Sequence, residues 1–289
     1  MEIAQAVATA WNKSNHSGRR DVALSVVAAL SLAEQRDPNG PDLTEQLRSQ
    51  SAEEFTSTLR QIYTALVNAR PDLIHLIYPL MEWVFNEPDA ALQRAAKDTA
   101  DAALRAGQLD LTGTDSRYDT DLLGVVLALL KSDNATGANA QIYTPAPIAD
   151  AMSYMLMAGI NPAREGQSVM DPAVGTGGLF RAAAQVMRSN GQDPATVSWY
   201  GADIDDLAIA GCAVNSLLWR LGPRILLCVA NTQTEGDWAT RAEAQREEIV
   251  KLAESIRRDK LMLAAVRAAQ QLTEIVADDM PDQGASTHD

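Results

Sequence analysis

Asp171-Pro172-Ala173-Val174-Gly175-Thr176-Gly177-Gly178 decides the fold, because it sits where a β-like run, Ser168-Val169-Met170, turns into a helical one. Glycines at such a turn let the backbone approach a ligand closely, and the helix start offers N–H groups with no partner inside the helix. Two more β-like runs follow. Val197-Ser198-Trp199-Tyr200-Gly201-Ala202 ends at Asp203, and Ile225-Leu226-Leu227-Cys228-Val229 ends near Asn231. Helical stretches at about 176–190 and 205–221 separate them. Strands alternating with helices at this spacing indicate a parallel α/β sheet.

Several ligand classes compete for the turn. The dinucleotide fingerprint Gly-x-Gly-x-x-Gly requires glycine at position 180, where Phe180 stands, and Asp171 would set a carboxylate near a pyrophosphate. A Walker-type phosphate loop is excluded, since Gly-Lys-Ser/Thr is missing. The carboxylate of Asp171 suits a ligand with an ammonium group, such as the methionine end of S-adenosylmethionine. A glycine-rich turn without a ligand is the remaining alternative. Asp203 ends the next strand, where a carboxylate accepts both hydroxyls of a ribose. Ile204 beside it is placed to pack on an adenine face, and Asn231 to bond the adenine edge. Each is weak alone, since an Asp at a strand end is often only a helix N-cap, as Asp205 reads here. Three strand ends in order, each with a suitable group, carry the inference.

Outward from this core the chain is helical. Residues 1–131 read as a helical domain. Val22–Leu30 forms a nearly continuous apolar run, and Ser51 with Glu54 spells a capping box before Phe55, Leu59, Ile62 and Leu66. Pro71 opens a helix lined by Leu73, Leu76, Ile77, Leu80 and Val84, and Gly107 ends an alanine-rich one. Thr112 to Tyr118 reads as a polar linker, followed by an apolar helix from Asp121 to Leu130. Residues 132–238 then form the cofactor-binding, Rossmann-like domain. It begins with a polar loop over 132–140, and Thr144-Pro145-Ala146-Pro147 leads into a helix reaching about Ala158. Residues 239–277 are a long C-terminal helix. Ile249, Leu252, Ile256, Leu263 and Val266 approach a heptad seam that Asp259 interrupts, so a core-facing helix is favoured over a coiled coil. Residues 278–289 are an acidic tail expected to be disordered.

Composition narrows the function classes. At 289 residues, 46% apolar and 21% charged, the chain can bury a sizeable core. Its net charge of −14 argues against strong independent binding to duplex DNA, which rests on Lys and Arg neutralising phosphates. No apolar run approaches the ~18 residues of a membrane span, and Met1-Glu2-Ile3-Ala4-Gln5 lacks a basic leader, which places the chain in the cytoplasm. Cys212 and Cys228 lie in apolar stretches without Cys-x-x-Cys spacing, as buried reduced thiols, and no metal site is expected.

Residues ~141–236 resemble the cofactor-binding half of the N6-adenine DNA methyltransferases, especially the modification subunits of type I restriction systems. Gln141-Ile142-Tyr143-Thr144-Pro145 is similar to that family's Gln-aromatic-aromatic-Thr-Pro segment, departing at Ile142. The turn at 171–178 is similar to its Asp-Pro-Ala-Cys-Gly-Ser/Thr-Gly-Gly loop. Gly201-Ala202-Asp203-Ile204-Asp205 and Ala230-Asn231-Thr232 resemble the segments ending its second and third strands. The resemblance implies a partial class I methyltransferase sheet that binds S-adenosyl-L-methionine. Tyr143 and Thr144 would flank the methionine moiety, with Pro145 also in the cofactor-binding set. Asp171 would take its amino group within the loop of Ala173, Gly175, Thr176 and Gly177. Asp203 would hold the ribose, with Ile204 and Asn231 at the adenine.

The same family carries Asn/Asp-Pro-Pro-Tyr/Phe at its fourth strand, where it binds the flipped adenine. These 289 residues contain no such sequence; after Asn231 the next proline is Pro281. The one Asn-Pro, Asn161-Pro162-Ala163-Arg164, precedes the loop and reads as a helix-ending turn. No catalytic residue is therefore assigned. The resemblance implies a cofactor-binding protein that needs a partner for catalysis or is inactive alone, with DNA reached through a partner subunit. A non-catalytic cofactor-sensing or assembly subunit of a DNA modification or defence system is the alternative, and a helical interaction protein with a vestigial α/β part is a third. The family's sheet order, 3-2-1-4-5, would leave the strand ending at Asp171 at an edge. The long helix, the N-terminal helices or another chain is expected to cover it.

Overall fold

A computed structural model describes residues 1–16, 18–35, 37, 39–132, 144, 146–157 and 166–278, with side chains described as far as Ala264. Tyr143, Pro145, the 133–142 loop, the Asn161-Pro162 turn and the tail from 279 lie outside the described residues.

The helical region comprises α1 (Glu2–Asn12), α2 (Arg20–Ser31), α3 (Leu43–Ser49), α4 (Ala52–Ala69), α5 (Ile74–Phe85), α6 (Ala90–Arg105), α7 (Gln108–Thr112) and α8 (Leu122–Ser132). Its centre is α2, buried on all sides from Val22 to Ser31. A helix that apolar all round belongs in a core. Its buried Ser25 is satisfied there: Ser25 Oγ pairs with the Tyr63 hydroxyl and accepts from Trp83 Nε1, both at 2.9 Å. Gln108 reaches the Val27 carbonyl at 2.7 Å. The capping box forms as expected, with Ser51 and Glu54 each bonding the other's backbone N–H. Pro79 lies within α5, which continues through it.

Thr112 to Tyr118 is not a free linker. It closes α7 and enters a 3-10 turn over Asp115–Asp119. Residues 113–116 are exposed, but Arg117 and the adjoining Asp119 bond to distant parts of the chain. Trp219 Nε1 donates to the Arg117 carbonyl at 3.0 Å, and Gln185 Nε2 to Asp119 at 2.6 Å.

After α9 (Ala146–Met157) come β1 (Ser168–Asp171), α10 (Gly178–Ser189), β2 (Ser198–Asp203), α11 (Asp206–Leu218) and β3 (Ile225–Val229). The strands are parallel in the order β1-β2-β3. The molecule is thus mostly helical with a partial Rossmann-like α/β sheet, and among the described residues β1 is an edge, as the sequence implied. On one face Val169, Trp199, Ile225 and Leu227 join the large core shared with the N-terminal helices. Phe180 of α10 meets the Trp199 ring edge-on at 5.1 Å. On the other face Tyr200, Ala202, Leu226 and Cys228 lie under Trp238, Ala239 and Ala242. Cys212 and Cys228 are both buried and free.

Those three covering residues open α12 (Trp238–Asp278). Arg246 also ties it to Asp72 at 3.3 Å. Beyond that the expected core-facing role fails: Leu252, Ile256, Leu261, Met262 and Leu263 are exposed. The seam is real but meets no surface of this chain among the described residues. Nor does α12 cover the β1 edge. It packs at β3, as does α5, and leaves Met170 of β1 58% exposed.

Candidate functional site

The strand ends build the site. The register pairs Asp171 with Gly201, so Asp203 projects from the same sheet face two positions beyond Gly201, on the neighbouring strand. The intervening loop folds over this face. Val174 N donates to the Ala202 carbonyl at 2.9 Å, and a Cβ on Gly201 would lie 3.1 Å from the Val174 methyls. Glycine at 201 is what lets the loop rest on the sheet. Gly175 and Gly177 have φ of 55° and 96°, the left-handed region where other residues are strained. At Gly177 a side chain would also press on Trp219 and Cys212.

The two carboxylates shape the loop as well as facing its ligand side. Asp171 Oδ1 accepts from Ala173 N at 3.0 Å. Asp203 Oδ2 accepts from Gly175 N at 2.8 Å, while its Oδ1 accepts from Asp205 N. Burial lifts the Asp171 pKa above the usual carboxylate range; the Ala173 bond opposes this and the Asp203 charge adds to it. A buried acid raised by desolvation and by a like charge gains most from a cationic ligand. Asp205 caps α11, accepting from Leu207 N and Ala208 N, and forms an ion pair with Lys131 at the end of α8.

Above the loop lies a cleft of about 640 Å³. It brings together Thr144, Asp171, Ala173, Gly175, Thr176 and Asp203 of the residues expected from sequence. Gly177 sits directly beneath, at the start of α10. Ile204, 66% exposed, and Asn231 are not part of this lining. Asn231 instead accepts from Gln233 N and anchors the turn after β3, where Thr232 bonds the Pro172 carbonyl. The opposite wall is one that sequence reasoning missed. Asp121, Gly124, Val125, Ala128 and Leu129 of α8 and its cap supply it. Their apolar spacing looks like ordinary core, and Asp121 looks like an N-cap. Acids at the strand tips, a glycine turn and an apolar wall suit a molecule with an ammonium group, a ribose and an aromatic base. Among the described residues no cluster of His, Cys, Asp or Glu could hold a metal ion.

Residues 119–249 match the family model described as N-6 DNA Methylase. No curated protein sequence matches the chain. Among solved structures, a type I restriction-modification system methyltransferase subunit from Streptococcus thermophilus is similar, with 20% identity and a TM-score of 0.48. The alignment takes in 82% of this chain and 59% of that one, so the chain spans well under two thirds of that subunit. No helix among the described residues is long and apolar enough to cross a membrane.

Proposed function

From residues 119–249 as an N6-adenine DNA methyltransferase family segment, we propose that this chain binds S-adenosyl-L-methionine in the cleft over the 171–178 loop and serves DNA adenine-N6 methylation together with a partner. The observation that carries this is the placement of two strand-end carboxylates, Asp171 and Asp203, around a left-handed glycine turn in one cleft. Asp171 would hold the ammonium group and Asp203 the ribose hydroxyls, with Thr144 near the methionine end. Tyr143 and Pro145 belong to the same proposal from sequence. The ligand, when bound, supplies an electrophilic methyl group. What these residues do is orient it and hold its charge.

The base-binding side is not among these residues. They contain no Asn/Asp-Pro-Pro-Tyr/Phe sequence, so groups that receive a flipped adenine must come from chain outside them or from a partner. The β1 edge, unpaired among the described residues, and exposed Met170 are a fitting seat for that contribution. The net charge of −14 likewise assigns most phosphate contacts to a partner. A second reading, a cofactor-sensing or assembly subunit without methyl transfer, draws on the same two features.

Calorimetric titration with S-adenosylmethionine tests the proposal. Wild type should bind, and Asp171→Ala should weaken binding by about tenfold or more, the scale of one lost charge-assisted hydrogen bond. Absence of binding by wild type would refute the cofactor reading. Binding without methyl transfer to adenine-containing DNA, with partner subunits added, would favour the sensing reading.

A further inference from the structure

One half-buried acid in the cleft wall, Asp121, makes contacts not described so far. Asp121 lies before α8, in the helical region, and its carboxylate reaches across to the sheet layer. Oδ2 accepts from the Thr176 hydroxyl at 2.6 Å. Oδ1 accepts from Asn215 Nδ2 of α11 at 2.8 Å and from Gly124 N at 2.9 Å. Asn215 Nδ2 also donates to the Thr176 carbonyl at 2.8 Å. Thr176 is therefore held at both its hydroxyl and its carbonyl, in the middle of the Gly175-Thr176-Gly177 turn. Thr176 and Asn215 are each 1% exposed, so water does not substitute for these partners.

The surrounding residues are cut to fit this junction. A Cβ at Gly124 would sit 2.4 Å from Asp121 Oδ2 and 2.5 Å from Thr176 Oγ1. A Cβ at Gly211 would sit 3.0 Å from Thr176 Cγ2. An N-cap needs only the bond to Gly124 N. The other two bonds, over sequence separations of 55 and 94 residues, have no capping purpose.

We infer that Asp121 is a positioning residue for the cofactor loop: through Thr176 and Asn215 it fixes the turn that carries Gly175 and Gly177, so the helical region sets the geometry of the cleft. The inference rests on the proposed cofactor site but concerns a residue that need not touch the ligand's reacting end. Its role is that of an acceptor, so an amide in the same place supplies Oδ1 to Gly124 and Asn215, and the Thr176 hydroxyl turns to accept from the new NH₂.

The test compares Asp121→Ala, Asp121→Asn and Thr176→Val by amide hydrogen exchange and by titration with S-adenosylmethionine. In Asp121→Ala and Thr176→Val the amides of Val174, Gly175 and Gly177 should exchange at least about tenfold faster, while those of α2 stay at the wild-type rate. Cofactor affinity should fall by about tenfold in both, whereas Asp121→Asn should stay near wild type in exchange and in affinity. Unchanged exchange of the loop amides in Thr176→Val overturns the inference, as does acceleration in α2 together with the loop, which would make Asp121 a general support of the fold. If Asp121→Ala does not fold, Thr176→Val alone decides, since it removes the hydroxyl without changing the side chain's size. If wild type does not bind the cofactor, the functional reading fails, while the exchange measurement still decides the role of Asp121.

Discussion

Asp171 is the residue on which site chemistry and stability oppose each other most directly. Its pKa is raised by burial first and by Asp203 second. A carboxyl whose folded pKa exceeds its unfolded value binds protons better in the folded state, so its cost to stability is full at neutral pH and is relieved as pH falls through the folded pKa. Ligand-free Asp171→Asn should therefore melt above wild type at pH 7, with the gap closing as the pH is lowered through the raised pKa of Asp171. Cofactor affinity should run the other way: wild type weakens as the acid protonates, and the Asn variant, weak throughout, shows a flatter profile. Paired thermal melts and titrations at several pH values check both, and a gap that widens on acidification would contradict the assignment. Asp171, Asp203 and the glycines are legible in the sequence because successive strand ends each carry a polar group beside one glycine turn, a combination stronger than any of its members. Asp121 is not, because an acid three residues before a helical glycine already has an explanation as a cap. Only the fold brings Thr176 and Asn215 to its other lone pairs.

At the scale of elements, periodicity places the three strands and the helices between them, and the expected bounds fall within a few residues of the observed ones. What periodicity does not give is the surface an apolar stripe meets. The stripe of α12 reads the same whether it faces its own core or another molecule. In the fold its work is concentrated in the first turns, where Trp238 and Ala242 close the second sheet face and Arg246 reaches Asp72. Two changes separate these parts. Trp238→Ala should cost about 3–5 kcal/mol, the range for emptying a buried aromatic site. Deleting 252–278 should shift the melting temperature by no more than about 2 °C, as expected from the exposure of Leu252, Ile256, Leu261, Met262 and Leu263. A truncated chain that melts as low as Trp238→Ala would show that the distal helix supports the fold, by a contact that α12 as described does not make. The linker expected at 112–118 is the converse case: polar composition is compatible with solvent or with hydrogen bonds to distant chain, and here the bonds prevail.

For the whole molecule the question is whether helical and sheet parts stand as separate folding units, as the expected division near residue 131 has them. Two features argue for joint stability. A single cluster of buried side chains runs from Ile3 through α2, α5 and α8 to Trp199 and Leu227, with α11 packed against both α5 and β3. Across the division run the Trp219–Arg117, Gln185–Asp119 and Asn215–Asp121 bonds and the Lys131–Asp205 ion pair. Removing either part would strand buried apolar surface, and removing the sheet part would leave Asp121 without Thr176 and Asn215, at a cost well above the ~1 kcal/mol of an ordinary hydrogen bond. We therefore expect a single cooperative transition in urea. The tryptophans allow the check: Trp11 and Trp83 report on the helices, Trp199 and Trp219 on the sheet layer. With Trp199, Trp219 and Trp238, which lies on the sheet's second face, replaced by Phe in one variant, and Trp11 and Trp83 in another, fluorescence midpoints should coincide with each variant's own helical circular dichroism, the signature of two-state unfolding. A fluorescence midpoint displaced from the circular dichroism in either variant would restore the independent helical domain. It would also weaken the coupling assigned to Asp121, since a cleft with one wall from each part stays fixed only while both parts unfold together.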